Sequence, residues 1–409
     1  MGLNQATAGW SEHEHLFQDP NLSFQDIASK SGKTLDAVRK KYQRLVDQGA
    51  ILMSEDDLYE QTLEQQKQEI VARAERNLQS RLLKERGETQ LLIDALRESA
   101  TSLPLVRPKV APSARETTSD EEEVVLLFGD TQIGEVVDPL TTGGLGHYNK
   151  DVFQSRLDTL QLKVEKIVRS HQTYQPISVL NIFGLGDFVE GMDIYPGQAY
   201  HIDMNVINQI LWGAERVAQM VVYLTGVFGH INLFGVLGNH GRLGRKGQFP
   251  TTASMDYLFL KHLEILLDAY IKEGIITTQF PETWFQLVER MDNRFLLVHG
   301  DDIKSWMSIP FYGADRAVSR WNDLLNERFD FFIFGHHHTA GQWEKNAKEV
   351  IANASFVGTN EHSAKHMNVG GRPSQKLFAI HPEHGKTWEY RLMLDDNEPA
   401  RQVELYRGG

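Results

Sequence analysis

The stretch that decides the fold is EVVLLFGD, residues 123–130, an apolar run of strand length that ends in a glycine and an aspartate. Two further runs have the same form, ISVLNIFGLGD at 177–187 and INLFGVLGNH at 231–240. Amphipathic helical patterns at 149–170 and 204–226 separate the three runs. This alternation is typical of βαβ units in a largely buried, parallel sheet. Because such sheets carry their chemistry beyond the carboxyl ends of the strands, we expect functional residues at these turns.

Three later segments also predict strands. They are TWFQLVERMDNRFLLVHGD at 283–301, with a hairpin turn at 291–293, FDFFIFGHHHT at 329–339, and EVIANAS at 349–355. The chain has no cysteine, so a transition metal would have to be held by imidazole, carboxylate and amide groups. Side chains of these types follow five predicted strands: Asp130 and Gln132, Asp187 and Glu190, Asn239 and His240, His299, and the three histidines 336–338.

Length and composition bound the class of protein. With 409 residues, 41% of them hydrophobic, the chain can bury a large core and should form more than one domain. It contains no apolar run of roughly 18 to 20 residues, the length of a membrane span, and its first residues lack the order of a secretory signal. We therefore expect a cytoplasmic protein with no membrane partner. A net charge of −13 argues against non-specific coating of nucleic acid but leaves local binding sites open.

Composition divides the chain into four segments. Residues 1–53 predict a helix-turn-helix domain of the winged-helix type. Residues 54–100 are rich in Glu, Gln, Lys, Arg and Leu and predict a solvated helical region, with self-association into a homo-oligomer as the sharper alternative. Spaced prolines and a closing acidic run predict a linker over residues 101–123. Residues 124–409 contain the predicted strands and form the α/β domain.

The N-terminal segment carries two short helical patterns around a turn at Ser31 and Gly32, with Thr34 as the N-cap of the second helix. This second helix can direct Leu35, Val38, Tyr42 and Leu45 inward. Its basic side chains then face outward and predict a DNA-binding surface. They are Lys33, Arg39, Lys40, Lys41 and Arg44. The alternative is a small helical bundle that serves protein contacts, since helix-turn-helix patterns are short and degenerate.

Five motifs occur in the order Asp-x-Gln, Gly-Asp-x-x-Glu, Gly-Asn-His, His-Gly and Gly-His-x-His. This series resembles the signature of the calcineurin-like metallophosphoesterases over about residues 124–394, and its motif order is similar to that of the DNA-repair exonuclease branch. The resemblance implies a two-sheet αββα sandwich with a centre of two divalent metal ions. Mn²⁺ is the metal we expect, with Mg²⁺, Zn²⁺, Ni²⁺ or Fe as alternatives.

The resemblance also implies the ligands. It assigns one metal to Asp130, Gln132, Asp187 and His338. It assigns the other metal to Asp187, Asn239, His299 and His336. Alternation along an extended segment would turn His336 and His338 to one side and His337 to the other. We therefore expect His337 to lie outside the ligand set.

One ligand departs from the family pattern. Gln132 stands where the signature usually has histidine, and an amide oxygen is a harder donor than an imidazole nitrogen. Either Gln132 binds the metal and shifts the preference towards Mn²⁺ or Mg²⁺, or it contacts the bound water. The family pattern further implies that His240 protonates the leaving oxygen and that Glu190 orients His240.

These assignments imply hydrolysis of phosphodiester bonds by a hydroxide activated between two metals. The loop after the Gly-Asn-His motif interleaves Arg242, Arg245 and Lys246 with glycines, which predicts contact with a substrate phosphate, unless it is an ordinary solvated loop. Phosphodiester hydrolysis, a basic loop and a helix-turn-helix region together favour a DNA nuclease. The alternatives are a small-molecule or nucleotide phosphodiesterase or phosphatase, and a catalytically weak DNA-binding regulator in which Gln132 has cost the centre its activity.

Overall fold

A computed structural model describes residues 10–19, 21–50, 69, 72, 103–104, 121–195, 197–244, 246–306, 310–361, 363 and 370–396. The chain forms two compact units, Met1–Glu88 and Thr89–Gly409. The predicted helical region 54–100 lies outside the described residues except for Glu69 and Ala72, which are helical.

The first unit contains the two predicted helices. Helix α1 spans Phe24–Ser31 and helix α2 spans Leu35–Asp47, after two short 3-10 helices at Trp10–Glu12 and Glu14–Gln18. The Thr34 side chain accepts a hydrogen bond from the Ala37 backbone, so it caps α2 as expected. The wing that a winged-helix domain would need falls on residues beyond the described part of this unit.

A small core holds the first unit together. Its buried side chains are Phe17, Ile27, Val38 and Leu45. Leu35 and Tyr42, which the sequence also directs inward, are half-buried. Two helices with so few fully buried side chains form a marginal core, and the aromatic ring contacts among Phe17, Phe24 and Tyr42 add to it.

The second unit is α/β. Its elements follow in the order β1 (Glu122–Phe128), α3 (Lys150–His171), β2 (Ile177–Gly184), a 3-10 helix (Gln198–Tyr200), α4 (Val206–Leu224), β3 (His230–Gly235), α5 (Met255–Leu266), α6 (Asp268–Lys272), β4 (Ile276–Gln279), β5 (Phe285–Arg290), β6 (Asn293–Val298), α7 (Phe311–Leu324), β7 (Phe331–Phe334), β8 (Gly341–Lys345), β9 (Lys348–Ala352), β10 (Ser374–His381) and β11 (Gly385–Met393).

The strands form two mixed sheets. In the first, of order β11-β10-β1-β2-β3-β4, strands β1 to β4 are parallel, and β10 pairs antiparallel with both β1 and β11. In the second, of order β5-β6-β7-β9-β8, strands β6, β7 and β9 are parallel. The sheets pack face to face, and the rings of Phe183 and Phe295 lie 5.2 Å apart between them. Helices α3, α4 and α5 cover the outer face of the first sheet, and α7 covers that of the second. The predicted α/β class with two sheets is confirmed.

Some boundaries differ from the sequence expectation. Strand β1 begins at Glu122, inside the segment predicted as a linker. In the same segment, the Leu103 backbone donates a hydrogen bond to the Leu266 carbonyl at the end of α5, so this part of the segment is attached to the core. Strands β4, β8, β10 and β11 and helices α5 to α7 were not anticipated. Within the described part of the chain, the helices are all too short or too polar to cross a membrane.

Candidate metal centre

Turns after five parallel strands meet at one edge of the two sheets. Asp130 follows β1, Asp187 follows β2 and Asn239 follows β3, while His299 follows β6 and His336 follows β7. Parallel strands deliver their carboxyl ends to the same edge, so both sheets contribute side chains to one place. Donor atoms of Asp187, His299 and His336 all lie within 4.8 Å of one another. These three side chains could share one cation.

Strained backbone marks this edge. The residues concerned have φ angles between 40° and 64°: Asp130, Gln132, Asp187, His336 and His338. The left-handed region is unusual for non-glycine residues, and it persists only where the surrounding structure enforces it. Elsewhere in the described residues, non-glycine residues with positive φ occur only at 291–292 and 346–347, the turns of two β-hairpins. Outside hairpin turns, left-handed backbone at non-glycine positions thus coincides with predicted ligands.

The backbone of the three histidines shows that the alternation predicted for an extended segment is wrong. This segment is not extended, because His336 and His338 have φ angles of 64° and 55° and the His337 backbone donates to the Gly335 carbonyl. The His337 ring packs edge-on against Phe334, with centroids 5.9 Å apart. Burial lowers the pKa of His337 to about 4. Two left-handed residues, rather than strand alternation, set the direction of the His337 ring, which also contacts the His336 ring edge-on at 5.1 Å.

His299 shows the clearest sign of a cation site. Its Nδ1 lies 2.7 Å from the Leu185 carbonyl oxygen, so Nδ1–H donates and Nε2 carries a lone pair when the ring is neutral. That Nε2 lies 3.0 Å from Asp187 Oδ2 and 3.1 Å from Asn239 Oδ1. Asp187 Oδ2 is buried, and in the described structure it has no hydrogen-bond donor other than this Nε2 when the ring is protonated. Electron-rich atoms converge here, and a proton or a cation must lie among them.

Electrostatics show how this arrangement is stabilised without a metal. Burial disfavours a charged ring, but the carboxylate of Asp187 raises the pKa of His299 to about 10. Burial likewise opposes a charged carboxylate, yet His299 and His240 hold the pKa of Asp187 well below its ordinary value. Burial and His299 lower the pKa of His336 far below its usual range, which keeps this ring in the neutral, metal-binding form. A proton on His299 therefore occupies a position that a cation can take.

A second group of predicted ligands lies beside the first. His338 Nε2 is 3.5 Å from Asp130 Oδ1, and both Asp130 and Gln132 are buried. Gln132 Oε1 has no hydrogen-bond partner among the described residues, which is a costly state for a buried amide oxygen. Its Nε2 lies 3.2 Å from His240 Nε2, an orientation that suits a neutral His240. Beside a protonated His240, the amide oxygen would face the ring and could bind a cation with its second lone pair. A divalent cation beside Asp130 and His338 would satisfy the free oxygen, so these residues fit a second metal.

Two glycines of the motifs make room for the carboxylates. A Cβ atom on Gly238 would lie 2.1 Å from Asp187 Oδ1, and one on Gly335 would lie 2.4 Å from Asp130 Oδ2. Both distances are far below van der Waals contact. Glycine is therefore required before Asn239 and before His336, which gives the Gly-Asn-His and Gly-His motifs a steric reason.

His240 and Glu190 form a hydrogen-bonded pair at the edge of the centre. His240 Nδ1 lies 2.7 Å from Glu190 Oε2, and its backbone donates to Asp187 Oδ1 at 2.7 Å. Tyr195 and Gln198 each donate to Glu190 Oε1 at 2.8 Å. Burial would lower the pKa of His240, but Glu190 and Asp187 raise it well above its ordinary value. His240 is thus a positioned imidazolium whose Nε2 lies 4.0 Å from Asp187 Oδ2.

Asp256, in the first turn of α5, belongs to this site although the sequence did not reveal it. Its Oδ2 accepts hydrogen bonds from the backbones of Asp187 at 2.7 Å and Gly238 at 2.9 Å. Its Oδ1 accepts from Phe188 at 3.0 Å and Val189 at 3.3 Å. Burial and Asp187 raise the pKa of Asp256 to about 6. Aspartate is common in the first turn of any helix, so no sequence signal distinguishes it.

Glu135 is a second buried carboxyl group that the sequence did not single out. Its Oε1 accepts a hydrogen bond from Asn360 at 3.0 Å. Its Oε2 has no partner among the described residues. Burial and Glu190 raise the pKa of Glu135 to about 7. Glu135 lies three residues after Gln132, directly behind the first motif, and this position could have indicated that it belongs to the site.

The predicted phosphate-binding loop is only partly available for such a role. Lys246 Nζ pairs with Asp301 Oδ2 at 2.6 Å, on the turn that follows β6. Arg242 is half-buried, and its Nε has no hydrogen-bond partner in the described structure. Arg245 lies outside the described residues. The ion pair holds the loop against the turn that follows His299, and it neutralises the charge of Lys246.

The predicted DNA-binding residues divide into two sets. Arg39, Lys40 and Arg44 are exposed on α2, and Lys40 pairs with Asp36 at 3.0 Å across one helical turn. Lys33 and Lys41 are half-buried. Lys41 pairs with Glu14 at 2.5 Å, so it contributes to packing within this unit. The exposed set is the part of the predicted surface that is open to a partner.

No family model and no curated protein matches the sequence. Among solved structures, vacuolar protein sorting 29 of Cryptosporidium parvum is 13% identical, covering 67% of this chain and 100% of that one, with a TM-score of 0.29. An archaeal phosphodiesterase is 16% identical over 66% of this chain and 99% of its own, with a TM-score of 0.29. A hypothetical protein of Pyrococcus horikoshii OT3 is 12% identical over 67% and 89%, with a TM-score of 0.32. Scores and identities this low support no inference about activity, so only the residues of this chain bear on its chemistry.

Proposed function

We propose that this chain is a metal-dependent phosphodiesterase with DNA as its substrate. The main support is the arrangement around His299, whose Nε2 faces Asp187 Oδ2 at 3.0 Å and Asn239 Oδ1 at 3.1 Å. A buried lone pair that faces two oxygens needs a positive charge, which a proton or a divalent cation can supply. The resemblance of the five motifs to the metallophosphoesterases supports the same reading.

Two groups of side chains would hold the metals. Asp187, Asn239, His299 and His336 would bind one ion, and Asp130, Gln132 and His338 would bind the other with Asp187 between them. When bound, two such ions supply Lewis-acid activation of water and neutralise phosphoryl oxygens. Oxygen donors in the second group favour Mn²⁺ or Mg²⁺ over softer ions.

The protein's own residues manage the proton. His240 is held by Glu190 at 2.7 Å with its Nε2 directed into the centre. Because Glu190 and Asp187 raise the pKa of His240, its ring is protonated before substrate binds. An imidazolium in this position can donate its Nε2 proton to the leaving oxygen of a phosphodiester. Tyr195 and Gln198 fix the carboxylate that orients it.

DNA is the substrate favoured by the first unit. Helix α2 presents Arg39, Lys40 and Arg44 to solvent on a capped helix, as a DNA-binding helix would. Phosphate contacts by such side chains release counterions, so binding should weaken as salt rises. These features support delivery of the metal centre to DNA, although a small-molecule ester would fit the same centre.

The test uses the full chain, stripped of metal and reloaded with Mn²⁺. It is incubated with labelled single- and double-stranded DNA, and separately with bis-p-nitrophenyl phosphate. We expect Mn²⁺-dependent cleavage of both the dye ester and DNA, and no cleavage in EDTA. His201→Gln, an exposed histidine directly after the 3-10 helix Gln198–Tyr200, serves as the matched control for His240→Gln and should cleave like wild type.

Each other outcome selects an alternative. Cleavage of the dye ester but of neither DNA would indicate a small-molecule or nucleotide phosphodiesterase. Binding of DNA without turnover of any ester would indicate the catalytically weak regulator. Cleavage that persists in EDTA would remove the metal-dependent mechanism altogether.

A further inference from the structure

We propose that the outer face of α7, together with Trp306, binds single-stranded DNA. This α7 surface consists of Trp306, Phe311, Tyr312, Arg316 and Arg320. The inference rests on the proposed function, because it gives the path of a strand that enters the metal centre. It adds a substrate-binding surface that none of the motifs indicates.

The aromatic part of this surface is unusually open. Trp306 is 70% exposed, Tyr312 68% and Phe311 40%. The rings of Phe311 and Tyr312 lie 5.4 Å apart, nearly perpendicular to each other. Solvent-exposed aromatic side chains that cluster in this way mark interaction sites. Stacking on bases suits such rings because every base offers a flat apolar face.

The basic part continues along the helix. Tyr312, Arg316 and Arg320 follow at intervals of four residues, so they lie on one face of α7. Both arginines are exposed, and within the described structure neither has a carboxylate at ion-pair distance. The nearby Asp315 is engaged by Lys345 at 2.8 Å. Two guanidinium groups without a partner are therefore available for phosphates, and the exposed Asp323 ends the basic stripe.

Packing leaves only one face of α7 for a partner. On its inner side, Ala314 and Val318 are fully buried against the second sheet. Phe311 is 40% exposed but also packs on Trp343 of β8 at 5.1 Å, so it borders the outer face. Trp321 packs on Phe285 of β5 at 4.8 Å. The helix thus lies across the sheet from one edge to the other. The rings at the start of the helix and the guanidinium groups further along its outer face can bind the bases and the phosphates of one strand.

The start of α7 is connected to the metal centre. Gly313 lies so close to Lys304, five residues after His299, that a Cβ atom there would be 1.9 Å from the Lys304 carbonyl oxygen. Trp343 bridges Phe311 to Phe334, whose ring is 6.3 Å from Trp343. Phe334 in turn leads through one glycine to His336. The start of α7 therefore packs on the segment that follows His299 and, through Trp343, on the strand that ends before His336.

The test measures oligonucleotide binding by the full chain in EDTA, so that cleavage cannot interfere. A fluorescein-labelled oligo(dT) is titrated with a parent protein, with the aromatic variant Trp306→Ala/Tyr312→Ala and with the basic variant Arg316→Ala/Arg320→Ala. Lys166→Ala/Lys272→Ala, two exposed lysines of α3 and α6, is the control for lost charge. All four proteins also carry Arg39→Ala and Arg44→Ala, so that the first unit does not mask the effect.

We expect both α7 variants to bind oligo(dT) at least roughly tenfold more weakly, within the range that stacked bases contribute, and the control to bind as its parent does. Turnover of bis-p-nitrophenyl phosphate should stay within twofold in every variant, which shows that the centre is intact. Equal oligonucleotide affinity in all variants would overturn the α7 surface even if DNA is cleaved. A parent that cleaves the dye ester but not DNA would overturn the nuclease function instead. The binding data would still show whether the α7 surface binds single-stranded DNA.

Discussion

The two groups of predicted ligands differ in how completely the protein prepares them. In the histidine-rich half, formed by Asp187, Asn239, His299 and His336, donor atoms of three side chains already lie within 4.8 Å of one another. In the glutamine half, formed by Asp130, Gln132 and His338, the one short contact between donors is 3.5 Å, and the His338 side chain is 18% exposed. One half is assembled by hydrogen bonds and ion pairs, whereas the other has fewer contacts between its donor atoms and includes a neutral amide.

We therefore expect the two halves to bind metal with unequal affinity. A preassembled set of donors loses little conformational entropy when a cation binds. The histidine-rich half must release the proton that Asp187 holds on His299, so its affinity should rise with pH until the pKa of about 10 is reached. The glutamine half has an unsatisfied oxygen to offer but no imidazole at that position. We therefore expect one tight and one weaker site.

The largest effect should follow from removing the residue that both halves share. Asp187→Asn keeps the size of the side chain but removes its charge, so both metals should bind more weakly. Turnover of bis-p-nitrophenyl phosphate should fall by roughly a thousandfold or more, because each metal contributes several kcal/mol of transition-state stabilisation. Asp193→Asn, an exposed aspartate in the same turn, is the control. Normal metal content in Asp187→Asn would show that the halves do not share a ligand.

A smaller loss, and one of another kind, should follow from His240→Gln. His240 contacts Asp187 and Gln132 but is assigned to neither half, so both metals should remain bound. Turnover should fall by roughly a hundredfold on DNA, whose leaving oxygen needs a proton. The loss should be smaller on bis-p-nitrophenyl phosphate, because nitrophenolate leaves readily without one. An equal loss on both substrates, or loss of a metal, would contradict the assignment of His240 as the acid.

Asp256 belongs to neither half, but its substitution should lower the metal affinity of the histidine-rich half. Asp256→Asn replaces two acceptor oxygens with one, which leaves backbone N–H groups of the turns after β2 and β3 without an acceptor. The free energy of unfolding should fall by about 1–3 kcal/mol, and metal affinity of the histidine-rich half should fall by roughly tenfold to a hundredfold. Thermal unfolding and metal titration measure these effects, with Asp268→Asn in the first turn of α6 as the control. Unchanged metal affinity would reduce Asp256 to a purely structural role.

Much of the fold followed from the sequence because the central strands are continuous apolar runs. Strands β1, β2, β3, β6 and β7 are buried on both faces, and each ends at a glycine or histidine turn that the motifs identify. Strand β8 was missed because it is an edge strand whose side chains alternate between exposed and half-buried. Helix α7 was missed because its pattern is interrupted by Gly313, which packs against the Lys304 backbone.

The candidate site was only partly predictable. Side-chain identities after strand ends suggested the ligands, because that position is set by the sheet. The backbone that aims them was not predictable, since left-handed φ at His336 and His338 depends on contacts such as the hydrogen bond from the His336 backbone to Asp130. Asp256 was invisible for the same reason, as its acceptors face turns that only the tertiary fold brings together.

The most direct test of the account is a calorimetric titration of Mn²⁺ into the metal-stripped full chain, carried out on wild type, His299→Ala and Gln132→Ala. We expect two binding events in wild type. His299→Ala should lose the tighter event, while Gln132→Ala should weaken only the other by roughly tenfold, the range of a lost contact at a metal site. A single event in wild type, or identical curves for all three proteins, would contradict a centre built from two unequal halves.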